Sequence, residues 1–263
     1  MPTGREAGFT IIEISIFMAI SGLLLLVAIL GTSNSINTNR FNDSVRSAQG
    51  YLQKQYSDIL NGVNPRDDNH ACDASTGQVG SGSQVVGTSD CLLMGKLIQF
   101  TKNSSTFTTY YVIGSIPVTQ PAPGLSDDVL IALYKPHVVP SVANETYNLA
   151  WGATVLGSCQ APNTSGVCQS PYTKFNSYLL LRSPASGNIL SYIFYASGLP
   201  AGNDLTPYSI PANHMTANIC LHSADNTVPT GMITLSPSGG QAGINTNFDS
   251  AIDVVTSTMC SGV

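Results

Sequence analysis

The sequence predicts an α+β fold: one long amino-terminal helix followed by an antiparallel β-sheet with long loops. Three features point there. An almost uninterrupted apolar run occupies residues 9–30, and an amphipathic stripe of helical period follows at 41–59. From residue 63 onward, short β-rich runs alternate with clusters of Gly, Pro, Ser and Asn. A helix followed by a run of strands is the α+β order.

The apolar run decides the first element. Residues 9–30 read FTIIEISIFMAISGLLLLVAIL, with a single charge at Glu13. About 20 consecutive apolar residues cross a bilayer as a helix. After Glu13 come eleven Leu, Ile, Val and Phe residues. Each contributes roughly −0.3 to −0.6 kcal/mol near the bilayer centre, against about +2.5 to +3.5 for a central acid. Insertion is therefore favoured, and Glu13 sits near the start of the run, where its cost is smaller. The short leader MPTGREAG carries Arg5 and the amino terminus, so the positive-inside tendency keeps it cytoplasmic and sends the rest across. A secretory signal peptide would have an apolar core of about 7–15 residues and a small-residue cleavage site. The run here is longer, and Gly31-Thr32-Ser33-Asn34 offers no such site.

Gly8-Phe9-Thr10-Ile11-Ile12-Glu13, with the apolar run behind it, resembles the class III signal of type IV pilins and pseudopilins. The close match covers about 25 residues. The resemblance implies cleavage between Gly8 and Phe9 by a prepilin peptidase, N-methylation of Phe9, and a role for Glu13 in filament assembly through a pair with the Phe9 amine. It also implies a type IV pilin-like fold. An ionisable residue within a span is in any case a functional-site hypothesis with a partner to be sought, and a free Phe9 amine supplies one.

Past the span, residues 31–39 read GTSNSINTN, poor helix formers throughout. The helical period then resumes with Phe41, Val45, Ala48, Leu52, Tyr56 and Ile59 on one face, while Arg40, Asp43, Lys54 and Asp58 lie off it. Asn61-Gly62 and Pro65 supply the stop. Residues 9–62 thus form one long helix with a weak stretch at 31–39, and the stripe packs on a sheet. Strands are expected at 106–116, 128–134 and 146–152, in a hairpin at 178–196, and at 218–222 and 231–235. The Gly- and Pro-rich stretches 74–90 and 198–214 are expected to be surface arms. The organisation is a leader (1–8), a membrane and filament-core segment (9–30), the second half of the helix (31–62) and an extracytoplasmic β-rich domain (63–263).

Composition bounds the function. Lys and Arg number 10 against 15 Asp and Glu, a net charge of −5, and 10% of residues are charged, where globular domains average about 25%. A nucleic-acid binder needs a basic domain with a pI above about 9; the pI here is about 5.1. The 43% hydrophobic content excludes wholesale disorder. The six cysteines, Cys72, Cys91, Cys159, Cys168, Cys220 and Cys260, contain no C-x-x-C, and the four histidines are scattered singly, so zinc-ligand spacing is absent. An even number in a Ser/Thr/Asn-rich chain favours disulfides in an oxidising compartment. Six cysteines allow about 15 pairings, and nearest-neighbour pairing, 72–91, 159–168 and 220–260, is the expectation.

No nucleophile elbow, H-E-x-x-H, G-x-G-x-x-G or P-loop is present. Asp67-Asp68-Asn69-His70 with Asp73 could gather oxygens around Ca²⁺, but the D-x-[DN]-x-[DN]-G spacing is missing, and a solvated turn is the reading. Sequons at Asn42, Asn103, Asn144 and Asn163 are assigned no glycan. Trp151, the sole tryptophan, is expected in the core. No catalytic residue, metal ligand or cofactor is assigned, and no enzymatic activity is expected.

The function expected is that of a structural subunit of a type IV pilus or pilus-like filament, a minor or large pilin serving assembly, adhesion or motility. Its partners would be other pilin subunits in a helical filament, the prepilin peptidase and methylase, the membrane-embedded assembly machinery, and the membrane itself before assembly. No nucleic acid is expected. Rival readings are a pseudopilin of a secretion or DNA-uptake system, a membrane-tethered ligand-binding domain, and a hydrolase with a non-standard site.

Overall fold

Helix α1 spans Ile11–Leu60 as one run of 50 residues in the computed structural model, about 75 Å at 1.5 Å per residue. The residues described are 10–63, 70–73, 78–85, 91–117, 119, 121–140, 144–160, 174–223, 230–237, 243–248 and 260. The helix is unbroken through 31–39, the stretch whose sequence is least helical. It ends where the sequence signals a stop: Asn61 is the C-cap and Gly62 takes a left-handed φ of 66°. The Arg182 guanidinium also donates to the Leu60 carbonyl at 3.5 Å.

The strands are β1 (His70–Asp73), β2 (Gln78–Ser81), β3 (Cys91–Phe100), β4 (Thr106–Ser115), β5 (His137–Val139), β6 (Glu145–Asn148), β7 (Ala153–Gln160), β8 (Ser177–Arg182), β9 (Ile189–Phe194), β10 (Ala217–Ser223), β11 (Gly231–Leu235) and β12 (Ile244–Phe248). A short helix, α2 (Asp127–Leu133), follows β4. All strand pairings among the described residues are antiparallel. One sheet runs β5-β4-β3-β8-β9, with β6 also on β4; a second runs β12-β11-β10-β7; β1 and β2 form a separate hairpin.

The stripe on α1 packs as its period requires. Phe41, Val45, Ala48, Leu52 and Ile59 are buried, and Tyr56 lies against the same core. Both sheets contribute to this core: Ile98, Phe100, Phe107, Tyr178 and Leu180 from the larger, Val155, Ile219, Ile233 and Ile244 from the smaller. The larger sheet is covered on its other face too. Met94, Leu97, Leu179, Leu181 and Tyr192 pack there with Ile131 of α2 and with Leu205. Strands buried on both faces read as continuous apolar runs, which explains the sequence YLLL in β8; in β3 the buried stretch is residues 94–98, while Leu92 near its start is exposed. At Gly95 the β3 register shifts. A Cβ there would sit on the Leu180 carbonyl oxygen, so the close approach of β3 to β8 requires glycine.

Two expectations are corrected. Residues 128–134, read as a strand, belong to α2: Ser126 takes the N-cap position, Asp127 and Asp128 occupy the first turn, and Ile131 is buried. Acids in the first turn favour a helix through its dipole, and a single buried residue among the seven of α2 shows no strand-like alternation. The stretch 198–214 is no free arm. It holds two 3₁₀ turns, Ala201–Asn203 and Pro211–Asn213, and lays fully buried Leu205 on the larger sheet. Strands β1, β2, β3, β5, β7 and β12 lie outside the expected set, and β2, paired with β1, falls within the stretch 74–90 expected to be a surface arm.

Cys72 pairs with Cys91 and Cys220 with Cys260, at Cα separations of 6.0 and 6.1 Å. Cys159 is also in a disulfide; Cys168 lies outside the described residues. Among the described residues no cysteine is free. The first bridge ties the β1–β2 hairpin to the start of β3. The second packs with Met232 on the outer face of the smaller sheet.

Candidate functional site

The amino-terminal half of α1 is the most unusual surface of the molecule. Ile11–Ile29 is long and apolar enough to cross a membrane, and none of it is buried. Ile11 is 85% exposed, Phe17 73% and Leu23 66%. The globular domain begins to cover α1 only near Phe41. One helix therefore serves two environments: a bare apolar segment, then a stripe that forms the floor of the domain core.

Glu13 stands at the head of this segment in a capping box. Thr10 is the N-cap. Its backbone N–H and its hydroxyl both donate to Glu13 Oε2 at 2.9 Å, and the Glu13 N–H donates to Thr10 Oγ1 at 3.3 Å. This arrangement satisfies N–H groups that the first turn of a helix leaves without partners. Thr-x-x-Glu is the sequence signature of this cap, a role for Glu13 additional to the pair with the Phe9 amine that the resemblance implies. Gly8 and Phe9 lie outside the described residues. The capping box holds the carboxylate beside Thr10, the residue directly after position 9.

A second polar cluster joins α1 to the larger sheet. Lys96 of β3 is 1% exposed. Its ammonium donates to Gln55 Oε1 at 2.5 Å and Asp58 Oδ2 at 2.7 Å and lies 5.0 Å from the Tyr111 ring centroid. Gln55 passes the network on, donating to Glu145 Oε2 at 3.1 Å, and Lys54 bridges Glu145 and Asp58 at 3.1 and 3.4 Å. Burial pushes the Asp58 carboxyl up, but the Lys96 hydrogen bond and the charges of Lys96 and Lys54 outweigh it and hold the group below the usual carboxylate range. Nearby, Tyr51 shares a 2.7 Å hydrogen bond with Thr109. Burial dominates there and pushes the Tyr51 phenol up to about 12. A buried charge of this kind stays in place only when paired and fully hydrogen-bonded. The cluster clamps the upper part of α1 to β3 and β6. Its sequence signal is a lysine inside the apolar run CLLMGKLIQF, where a charge must find a partner.

Trp151 corrects a third expectation. It is 57% exposed, on the turn between β6 and β7, where Trp151 and Gly152 both take left-handed φ values of 55° and 70°. A non-glycine residue in that region is held at a cost of order 1 kcal/mol. The indole N–H donates to Asp43 Oδ2 at 3.3 Å, and the Arg40 guanidinium lies 5.0 Å from the ring centroid. The Trp-Gly dipeptide after an alternating run was the available turn signal.

Asp73 ends β1, while Asp67, Asp68 and Asn69 lie outside the described residues. Among the described residues no group of three or more His, Cys, Asp or Glu side chains converges. Comparison of the chain with protein-family models, with curated proteins and with solved structures finds no match.

Proposed function

We propose that this chain is a structural subunit of a type IV pilus or pilus-like filament, anchored by Ile11–Ile29 before assembly and packed through the same segment afterwards. The observation that carries this reading is the continuity of α1: a bare apolar half bearing one acid, rigidly joined to a half that is the core of a disulfide-braced domain. A simple anchor needs no such rigid joint, whereas a subunit that adds to a helical bundle uses it to fix its domain relative to its neighbours. The exposed aliphatic side chains must be covered, by lipid before assembly and by like segments within a filament. Tight parallel packing leaves no hydrocarbon position for an unpaired acid, so Glu13 takes a cationic partner, the Phe9 amine created by cleavage after Gly8.

Amino-terminal mass spectrometry and blotting of sheared surface filaments from the native host test this. A chain beginning at Phe9, present in the sheared fraction and lost from it without the prepilin peptidase, is the expected result. A mature terminus at Met1 or beyond Leu30, or retention in membranes alone, would overturn it. The latter outcome fits a tethered binding domain.

A further inference from the structure

The exposed tryptophan asks for an explanation beyond the two contacts that tie its turn to α1. Trp151 sits in a left-handed conformation that glycine or asparagine adopts with ease and a bulky side chain does not. More than half of its surface is left in solvent. The turn would form with less strain without it. Strain held at an exposed position points to a use outside the fold.

The ring is also prepared for contact. Its N–H is already satisfied by Asp43, and the Arg40 guanidinium lies near the ring, so one charge of each sign stands beside it. What remains outward is an apolar face on a fixed turn, which would lose little freedom on binding. Tryptophan and arginine are the residues most enriched where interfaces concentrate their energy.

Position selects the partner. Arg40 lies eleven residues beyond Ile29 on the same helix, roughly 16 Å along the axis at 1.5 Å per residue. The head-group layer extends only about 5–7 Å past the hydrocarbon, so a span ending at Ile29 leaves the tryptophan above the lipid. A neighbouring copy packed along Ile11–Ile29 has its helix axis about 8–10 Å away and runs past this height. We propose that Trp151, fixed by Arg40 and Asp43, is a contact between copies of this chain, seating against the charge-poor surface of the next subunit. This inference rests on the filament reading above. It is a heterologous contact, one patch meeting a different patch, which is the kind that propagates a helical array.

Hydroxyl-radical footprinting read by mass spectrometry of the Trp151 peptide tests it on the full-length protein. Three samples are compared: sheared filaments, subunit solubilised in detergent, and subunit alone in phosphatidylethanolamine–phosphatidylglycerol vesicles. Oxidation of Trp151 should fall severalfold in filaments and stay high in the other two. Equal oxidation in filaments and detergent overturns the contact while leaving the filament reading intact. Protection already present in vesicles overturns it in favour of lipid. Absence of the wild-type chain from sheared filaments overturns the filament reading and this inference with it. Trp151→Asn relieves the left-handed strain but gives up the Asp43 hydrogen bond and the Arg40 contact, effects of similar size and opposite sign, so the melting temperature should move little and membrane levels should stay normal. Its recovery in filaments should drop about tenfold or more, as expected for a truncated hot-spot tryptophan. Recovery at wild-type levels would sink the proposal.

Discussion

Glu13 has two roles available to it, and a single substitution separates them. As the third residue of the helix it completes a capping box with Thr10; as the lone acid of an apolar segment it is the natural partner for an amine. Glutamine serves the capping box as well as glutamate does but has no charge. Glu13→Gln should therefore keep the helix start and membrane insertion while losing addition to filaments. Leaving an ammonium buried without its counter-charge costs on the order of 3–5 kcal/mol. Glu13→Ala should fail equally in assembly and also fray the first turn. Membrane fractionation with sheared-filament blotting reads both effects, and wild-type assembly of the Gln variant would reduce Glu13 to a helix cap. Lys96 offers a second test at this scale. Lys96→Met fills the same space and strands Asp58, which keeps only Lys54 and partial solvent. A loss of about 2–3 kcal/mol is expected in urea unfolding of the purified protein. Because the folded Asp58 carboxyl titrates below its ordinary value, its contribution is complete above the unfolded pKa of about 3.9 and is lost as pH falls through the folded value. The acid limb of the stability profile should accordingly be shallower in Lys96→Met than in wild type.

Among the elements, β3 is the most constrained. It pairs with β4 and β8, is buried on both faces, carries Lys96, and shifts register at Gly95. Gly95→Ala places a methyl group on a backbone oxygen of β8, where no side chain can yield. Overpacking of this kind costs about 3 kcal/mol, and the variant should show a lower urea midpoint with hydrogen exchange accelerated first in β3 and β8. Unchanged stability would mean that the two strands can part without loss. This strand also shows where sequence reading ends. Helix α1 was legible because one face is wet and the other dry, so the period of Phe41, Val45, Ala48, Leu52 and Ile59 stands out. The hairpin of β8 and β9 was legible from its turn, Ser183 to Asn188. In β3, burial on both faces erases alternation, and a glycine and a lysine inside the run read as interruptions. The same loss of contrast misassigned α2, where apolar and β-branched residues outweighed the acids that open it. At the candidate site, Glu13 stood out as a charge in an apolar run, whereas Trp151 did not, because burial of a tryptophan is the common outcome and only the backbone of its turn reveals otherwise.

The whole molecule is a sandwich held at two levels, α1 against both sheets and the larger sheet against α2 and residues 196–208. Tyrosines report on both levels. Tyr178 and Tyr51 belong to the core beneath α1, and Tyr192 to the core beneath α2. Burial pushes the Tyr51 phenol up to about 12, and the same cause raises Tyr178 and Tyr192 further. For Tyr192 the hydrogen bond it donates to Asp128 at 2.9 Å adds to the effect. An unfolded tyrosine titrates near 10. The stability these groups contribute is therefore fully present below about pH 10. It falls as pH rises further, because the unfolded chain releases protons that the folded chain retains. Of the eleven tyrosines, these three should be the last to release their protons. They should do so in one cooperative step that coincides with loss of the far-ultraviolet circular dichroism, because neither core can admit a phenolate while the other stays packed on the shared sheet. Tyrosinate absorbance and circular dichroism recorded along one alkaline titration of the disulfide-intact protein would check this. Two separated steps would show that the α2 layer opens independently of the α1 core. Complete ionisation before any change in dichroism would show that solvent reaches both cores in the folded state. With the disulfides reduced, the cooperative step should move to lower pH, since the chain then gains more conformational freedom on unfolding and less proton release is needed to tip it.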